Sequence, residues 1–184
     1  MAPAPVAVLV SGPPAAGKST LGAGVAAALG AALLDLDVLT GPLTAVVARL
    51  LRTDDLDGLV LAEATRTARY ETIVAGAVDC LRCGTSAVLV APFSAERADA
   101  RRWAALAARL TAAGGRPQLV WLALPPDELL SRLRARGADR DAAKLADPAG
   151  FLSRTAAVPA IPHLQVDATW PLRRQTDFVV AAIG

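Results

Sequence analysis

The chain has 184 residues, 54% of them hydrophobic, and its 19 basic and 17 acidic side chains leave a net charge of +2. That length suits one domain with a full core, and so even a mixture of charges makes long nucleic acids poor partners. The mean hydropathy of +0.42 owes much to alanine, and the longest apolar run, Leu21 to Leu34, falls short of the ~20 residues a membrane-spanning helix needs.

No basic segment precedes Val6–Val10, so no secretory leader is expected, and the chain reads as a cytoplasmic protein without a membrane partner. Val6–Val10 is an uninterrupted apolar run, as in a strand buried on both faces. A glycine-rich turn follows, then an alanine-rich helix from about Gly17 to Leu29, closed by Gly30. Ala32–Leu36 reads as a second strand, and Leu43–Leu51 and Leu59–Leu81 have helical spacing. Ala87–Ala91 is a third strand, stopped by Pro92, and Glu96–Ala112 a helix. Leu119–Leu124 is a strand, Pro126–Arg136 a helix that Gly137 can cap, "HLQVDAT" a last strand and Leu172–Ile183 a closing helix. Strands alternating with helices imply an α/β three-layer sandwich with a five-stranded parallel sheet. Residues 1–184 are expected to form a single domain, with the polar stretch 137–150 loop-like.

Gly12-Pro13-Pro14-Ala15-Ala16-Gly17-Lys18-Ser19 matches the phosphate-loop pattern G-x-x-x-x-G-K-[ST], between a strand and a helix as the pattern requires. Gly12 and Gly17 would permit the turn and a close approach of backbone to phosphate. Lys18 would neutralise the β- and γ-phosphates, and Ser19 would ligate Mg²⁺. Pro13 and Pro14 have no N–H, so the donors must come from Ala15, Ala16, Gly17, Lys18, Ser19 and Thr20, the last at a helix N-terminus that favours an anion. The pattern points to a nucleoside triphosphate, ATP or GTP, and leaves the fate of its γ-phosphate open.

The second strand ends "LLDLDVLT". In extended chain Asp35 and Asp37 would share a face, at the strand end where such sheets bind ligands. One carboxylate can hold Mg²⁺ and the other can accept the proton of an attacking hydroxyl. A hydrolytic switch would end its third strand in a metal-binding aspartate; here that strand ends "VLVAPFS". Farther on, "RLRARGADR" sets Arg132 and Arg136 four apart on one helical face with Arg140 just beyond, while Arg134 lies off that face. Arginine forks suit phosphate oxygens, so about 132–150 reads as a lid that excludes water.

The loop, the "DLD" and the "RLRARGADR" lid together resemble small P-loop kinases acting on metabolite hydroxyls, a layout shared by shikimate and gluconate kinases. The resemblance is closest to the chloramphenicol phosphotransferase-like, AAA_33-type group, with zeta toxins more distant. It implies strand order 2-3-1-4-5, Asp37 as catalytic base beside Lys18 and Arg136, and Asp35 with Ser19 at the Mg²⁺. It also implies an antibiotic or other secondary metabolite as acceptor, in a self-resistance activity. "APFS" departs from the acidic ending of the third strand common in relatives, which leaves the magnesium shell lean.

The acceptor is expected between the second strand and the helices after it. Arg66, Arg69, Tyr70 and Glu71 lie on a helix over that area, with Arg66 and Tyr70 sharing a face; Phe93 and Glu96 follow the third strand. Trp103 and Trp121 read as core. Cys80 and Cys83 read as two thiols near a helix end, because no second pair and only the remote His163 are present to complete a zinc site. The function expected is a small-molecule kinase, and a homodimer is compatible with it. The alternatives are a nucleoside or nucleotide-sugar kinase and a non-catalytic nucleotide-binding regulator.

Overall fold

A computed structural model describes residues 4–53, 58–137, 141–155 and 157–184. Five parallel strands, β1 (Val6–Ser11), β2 (Ala32–Asp35), β3 (Ala87–Val90), β4 (Arg116–Ala123) and β5 (Leu164–Asp167), form one sheet in the order β2-β3-β1-β4-β5. Both the sheet and its order are as expected. β1 lies at the centre, with every residue buried, because its apolar side chains find cover on both faces.

Side chains alternate across that sheet and so found two cores. Val6, Val8 and Val10 pack with Leu21 and Val25 of α1 (Lys18–Leu29), Leu129 and Leu133 of α6 (Pro126–Arg136) and Val179 of α9 (Leu172–Ile183). Ala7 and Leu9 pack on the other face with Ile73, Ala77 and Leu81 of α3 (Leu59–Arg82) and Leu110 of α5 (Ala100–Ala112). Each fully buried Leu or Val stabilises by about 1.5–3 kcal/mol over its exposed state. Trp121 is buried and Trp103 partly so, both packed as core residues. Among the described residues no helix is long and apolar enough to cross a membrane.

Local chemistry moved several boundaries. The second strand stops at Asp35 instead of Leu36, and α2 (Leu36–Leu50) begins well before the expected Leu43. Asp35 caps it, its Oδ1 accepting the N–H groups of Asp37 (3.0 Å) and Val38 (3.4 Å), and the helix runs on through Gly41 and Pro42. The single helix expected over Glu96–Ala112 is two, α4 (Ser94–Ala98) and α5, because Asp99 is extended and caps the second through the Arg101 N–H (2.8 Å). β4 starts earlier than expected, its Arg116 paired with Val6. The loop-like reading of 137–150 is corrected by α7 (Ala142–Ala146) and α8 (Pro148–Thr155). The cysteines are free thiols at the end of α3, Cys83 exposed.

Gly22 of α1 sets how closely that helix lies on the sheet: a Cβ there would come within 2.4 Å of Val90 Cγ2. Gly22→Ala is expected to cost about 1–3 kcal/mol through overpacking. Gly76→Ala in α3, whose Cβ would meet Leu34 Cδ2 at an ordinary 3.7 Å, should gain up to about 1 kcal/mol of helix propensity. Urea unfolding of the two variants checks the pair.

Candidate active site

The glycine-rich loop leaves β1 and doubles back, with Ala16 N–H on the Pro13 carbonyl (3.3 Å). Gly12 is small for a reason other than phosphate: a Cβ there would stand 3.0 Å from Leu122 Cβ and 3.1 Å from the Leu122 carbonyl oxygen on β4. Gly17 caps α1 at φ 96°, a left-handed conformation that favours glycine. Ala15, at φ 63°, adopts a similar backbone despite its Cβ. Lys18 turns back to donate from Nζ to the Pro13 carbonyl (3.0 Å). Its ammonium is brought down from the ordinary lysine value to about 8, by burial first; Asp37 and Asp35 oppose this, and Arg136 and Arg97 add to it.

Ser19 and Thr20 are exposed in the first turn of α1. The Ser19 hydroxyl donates to Asp35 Oδ2 (2.6 Å), so one carboxylate caps α2 with one oxygen and holds the loop serine with the other. Serine and aspartate oxygens suit a hard divalent cation that keeps much of its water and takes further ligands from phosphate. Among the described residues no three His, Cys, Asp or Glu side chains gather as an all-protein cage.

Asp35 and Asp37 do not lie side by side on an extended strand as expected. Asp35 is the buried cap; Asp37 stands in the first turn of the helix with its side chain 79% exposed. Arg69 reaches it across the α2–α3 pair, Nη2 to Oδ1 at 2.5 Å, while its Nε donates to Thr40 Oγ1 (2.8 Å). Thr40 in turn donates to the Leu36 carbonyl (2.5 Å).

Arg66 lies with its guanidinium carbon 6.0 Å from the Tyr70 ring centre. The Tyr70 oxygen accepts the Phe93 N–H (3.1 Å). Burial, with Glu96 adding to it, pushes that hydroxyl up to about 12, so it keeps its proton and can donate it. Phe93 itself does not line the cleft: its ring is fully buried, edge-on to Tyr70 at 5.8 Å. Its backbone at φ 44° turns the ring into the core and leaves Pro92 and Ser94 at the surface of the site. Glu71 points elsewhere, paired with Arg109 of α5 (2.7 Å).

On α6 Arg132 donates to Glu128 Oε1 (2.9 Å) and to the Ala168 carbonyl after β5 (3.1 Å). Arg136 grips Asp141 with two hydrogen bonds (2.7 and 2.6 Å), and Lys144 adds a third (2.8 Å). Burial alone would raise the Asp141 carboxyl, but hydrogen bonds from Lys144 and Arg136 outweigh it and hold the group below its usual range. Arg134 is exposed, as its helical position implies. Arg140 lies outside the described residues. Lys144 was not singled out from the sequence; its only signal was the three-residue spacing from an aspartate in "DAAK".

These groups meet in one cleft of about 660 Å³. Lys18, Ser19, Thr20 and Asp35 line one part, Asp37, Arg66, Arg69 and Tyr70 another, and Arg132, Arg136 and Lys144 a third. The cleft thus joins an anion-binding loop, a carboxylate and a set of cations.

A family model described as "AAA domain" (AAA_33) matches residues 8–158, and the chain belongs to that family. No curated protein matches it. Solved structures share its fold: one from Chloroflexus aurantiacus J-10-fl has a TM-score of 0.72 at 20% identity, covering 100% of this chain and 98% of its own. A sugar kinase from Janibacter sp. HTCC2649 has a TM-score of 0.65 at 18% identity, covering 96% and 93%. The APS kinase CysC of Mycobacterium tuberculosis, in complex with AMPPNP and APS, has a TM-score of 0.63 at 21% identity, covering 97% of each chain. The shared architecture is the P-loop kinase fold.

Lys18 generates a pH signature. Below about 8 its ammonium is charged and triphosphate affinity should be flat; above it, binding must take up a proton, and affinity should fall about tenfold per pH unit. Lys18→Met should bind weakly and without that slope. Calorimetric titration of a nucleoside triphosphate between neutral pH and pH 10 measures both.

Proposed function

We propose that this member of the AAA_33 family is a phosphotransferase that moves the γ-phosphate of ATP or GTP to a hydroxyl of a small molecule. The observation that carries the reading is that the Asp37 carboxylate opens into the same cleft as Lys18 and Ser19 of the phosphate loop. A binding module has no use for an exposed carboxylate held at that place by an arginine.

The residues divide the work. Backbone N–H groups of Ala15 to Thr20 and the Lys18 ammonium hold the triphosphate. Ser19 and Asp35 would hold Mg²⁺, which when bound neutralises phosphate charge. Asp37 accepts the acceptor's hydroxyl proton while the freed oxygen bonds to the γ-phosphorus; the bond to the β–γ bridging oxygen breaks, and the nucleoside diphosphate leaves. Arg69 fixes the Asp37 carboxylate, and Arg66 and the Tyr70 hydroxyl contact polar groups of the acceptor. Arg132 and Arg136 offset charge on the transferring group and shield it from water. Lys144 shares Asp141 with Arg136 and joins that set. The resemblance of the loop, "DLD" and lid to chloramphenicol phosphotransferase-like kinases supports an antibiotic or other secondary metabolite as acceptor, in self-resistance.

Asp37→Asn should retain triphosphate affinity and lose about 10²–10⁴-fold in transfer rate, the usual contribution of a general base. The check is γ-labelled ATP and GTP with a panel of antibiotics and hydroxylated metabolites, read by mass spectrometry of the products. Undiminished transfer in the variant removes Asp37 from the role; no product from any acceptor in the wild type favours a nucleotide-binding regulator.

A further inference from the structure

Asp37, Arg66, Arg69 and Tyr70 line the part of the cleft between α2, α3 and the turn after β3. The charges there do not balance. Arg69 is taken up by Asp37 (2.5 Å) and by Thr40 (2.8 Å). Arg66, one turn earlier on α3, is exposed and pairs with no carboxylate among the described residues; its guanidinium stands near the Tyr70 ring instead. The Tyr70 hydroxyl accepts the Phe93 N–H (3.1 Å) and donates to nothing among the described residues. Burial, with Glu96 adding to it, pushes that group up to about 12, so its proton stays in place; Glu96 itself does not line the cleft. The walls around these groups include Leu36, Ala62, Ala91 and Pro92. An exposed arginine is ordinary on a surface, but this one stands beside a donor hydroxyl in an apolar-walled hollow, where a charge is less screened.

We propose that Arg66 and the Tyr70 hydroxyl bind an oxyanion of the acceptor, so that the substrate is a small aliphatic molecule carrying both a hydroxyl and a carboxylate or phosphate. The inference rests on the phosphotransferase reading and narrows its acceptor. An ionised oxyanion takes hydrogen bonds and gives none, which matches what Arg66 and Tyr70 supply, and the guanidinium fork fits two of its oxygens at once. A neutral polyol brings further O–H donors, and the carboxylate in that part, Asp37, is already engaged by Arg69 and by the reacting hydroxyl. The triphosphate does not call for Arg66, because Lys18, Arg132, Arg136 and Lys144 line the other parts of the cleft. Residues three apart on a helix have Cβ atoms about 5–6 Å from each other. Arg66 is therefore a neighbour of the Arg69 that holds Asp37, and the hydroxyl and the charge fall on one short skeleton whose carbons meet the apolar walls.

The test gives the wild-type chain γ-labelled ATP and GTP with matched acceptors: short aliphatic hydroxy acids, their methyl esters, the corresponding diols and the phosphate monoesters of those diols. Label should pass to the acids or to the monoesters, which tells the two oxyanions apart. Transfer to the esters and diols should be about 10–100-fold less efficient, the usual contribution of hydrogen bonds to a charged group. Arg66→Gln should raise KM for the charged acceptors by the same factor, with a smaller change in kcat and unaltered triphosphate affinity. Arg66→Lys should restore part of the loss. Equal transfer to charged and neutral acceptors, or an Arg66→Gln chain that still discriminates between them, overturns the oxyanion site and leaves the phosphotransferase standing. If no acceptor is labelled, calorimetry of the same acids and monoesters against the chain loaded with AMPPNP decides. Binding that Arg66→Gln abolishes keeps the oxyanion site and removes the transfer reading; no binding overturns the oxyanion site.

Discussion

The carboxylate of Asp35 is the joint on which the site is built. One oxygen takes two backbone N–H groups and starts α2; the other takes the hydroxyl of Ser19 and so fastens the first turn of α1 to the end of β2. An aspartate N-cap contributes about 1 kcal/mol, modest against a whole fold. Its larger effect is geometric, because starting the helix at Leu36 puts Asp37 in the first turn with its carboxylate at the cleft. Were the chain to continue as a strand, Asp37 would lie away from Arg69 and Thr40.

A second carboxylate plays the matching part between α6 and α7. Asp141 is 1% exposed and gathers Arg136 and Lys144, two cations that would otherwise repel, at one edge of the cleft. A buried carboxylate is costly unless paired and hydrogen-bonded, and here the pairing holds α6 and α7 together. Arg97 anchors the chain at the end of α8. It lies buried with its guanidinium carbon 4.8 Å from the Trp121 ring centre and donates to the carbonyls of Ala157 and Thr155 (the latter at 3.3 Å). Charged groups that each satisfy several partners thus tie α1 to β2, α6 to α7, and α4 to the segment after α8.

Much of this was legible from short stretches of chain. Apolar runs marked β1, β3 and the inner part of β4, since a strand buried on both faces must be apolar throughout, and the loop pattern located Lys18 and Ser19. The boundary at Asp35 was not legible, because the alternation "LLDLD" satisfies a strand while an aspartate before a helical run satisfies a cap. Gly41 and Pro42 stand just before the helix expected at Leu43, yet α2 passes through them; the proline removes one donor and crowds the carbonyl four residues back, and the buried face of Leu36, Thr40, Thr44 and Ala48 continues across it all the same. Phe93 sits where a ligand-lining residue belongs by position, and only its backbone turn sends the ring inward.

The glycine-rich loop and the sheet that carries it follow from the chain alone. Those features depend on neighbours in the chain: a glycine free to turn, a lysine and a serine in fixed succession, a run of branched side chains. Tertiary structure alone decided which charges meet. Arg69 and Asp37 are 32 residues apart, Arg109 and Glu71 38, Arg132 and the Ala168 carbonyl 36. A periodic pattern shows which face a side chain takes on its own element, but partners on separate elements are selected by how those elements pack. That packing is set by contacts such as Gly22 against Val90, whose fit depends on volume rather than on pattern.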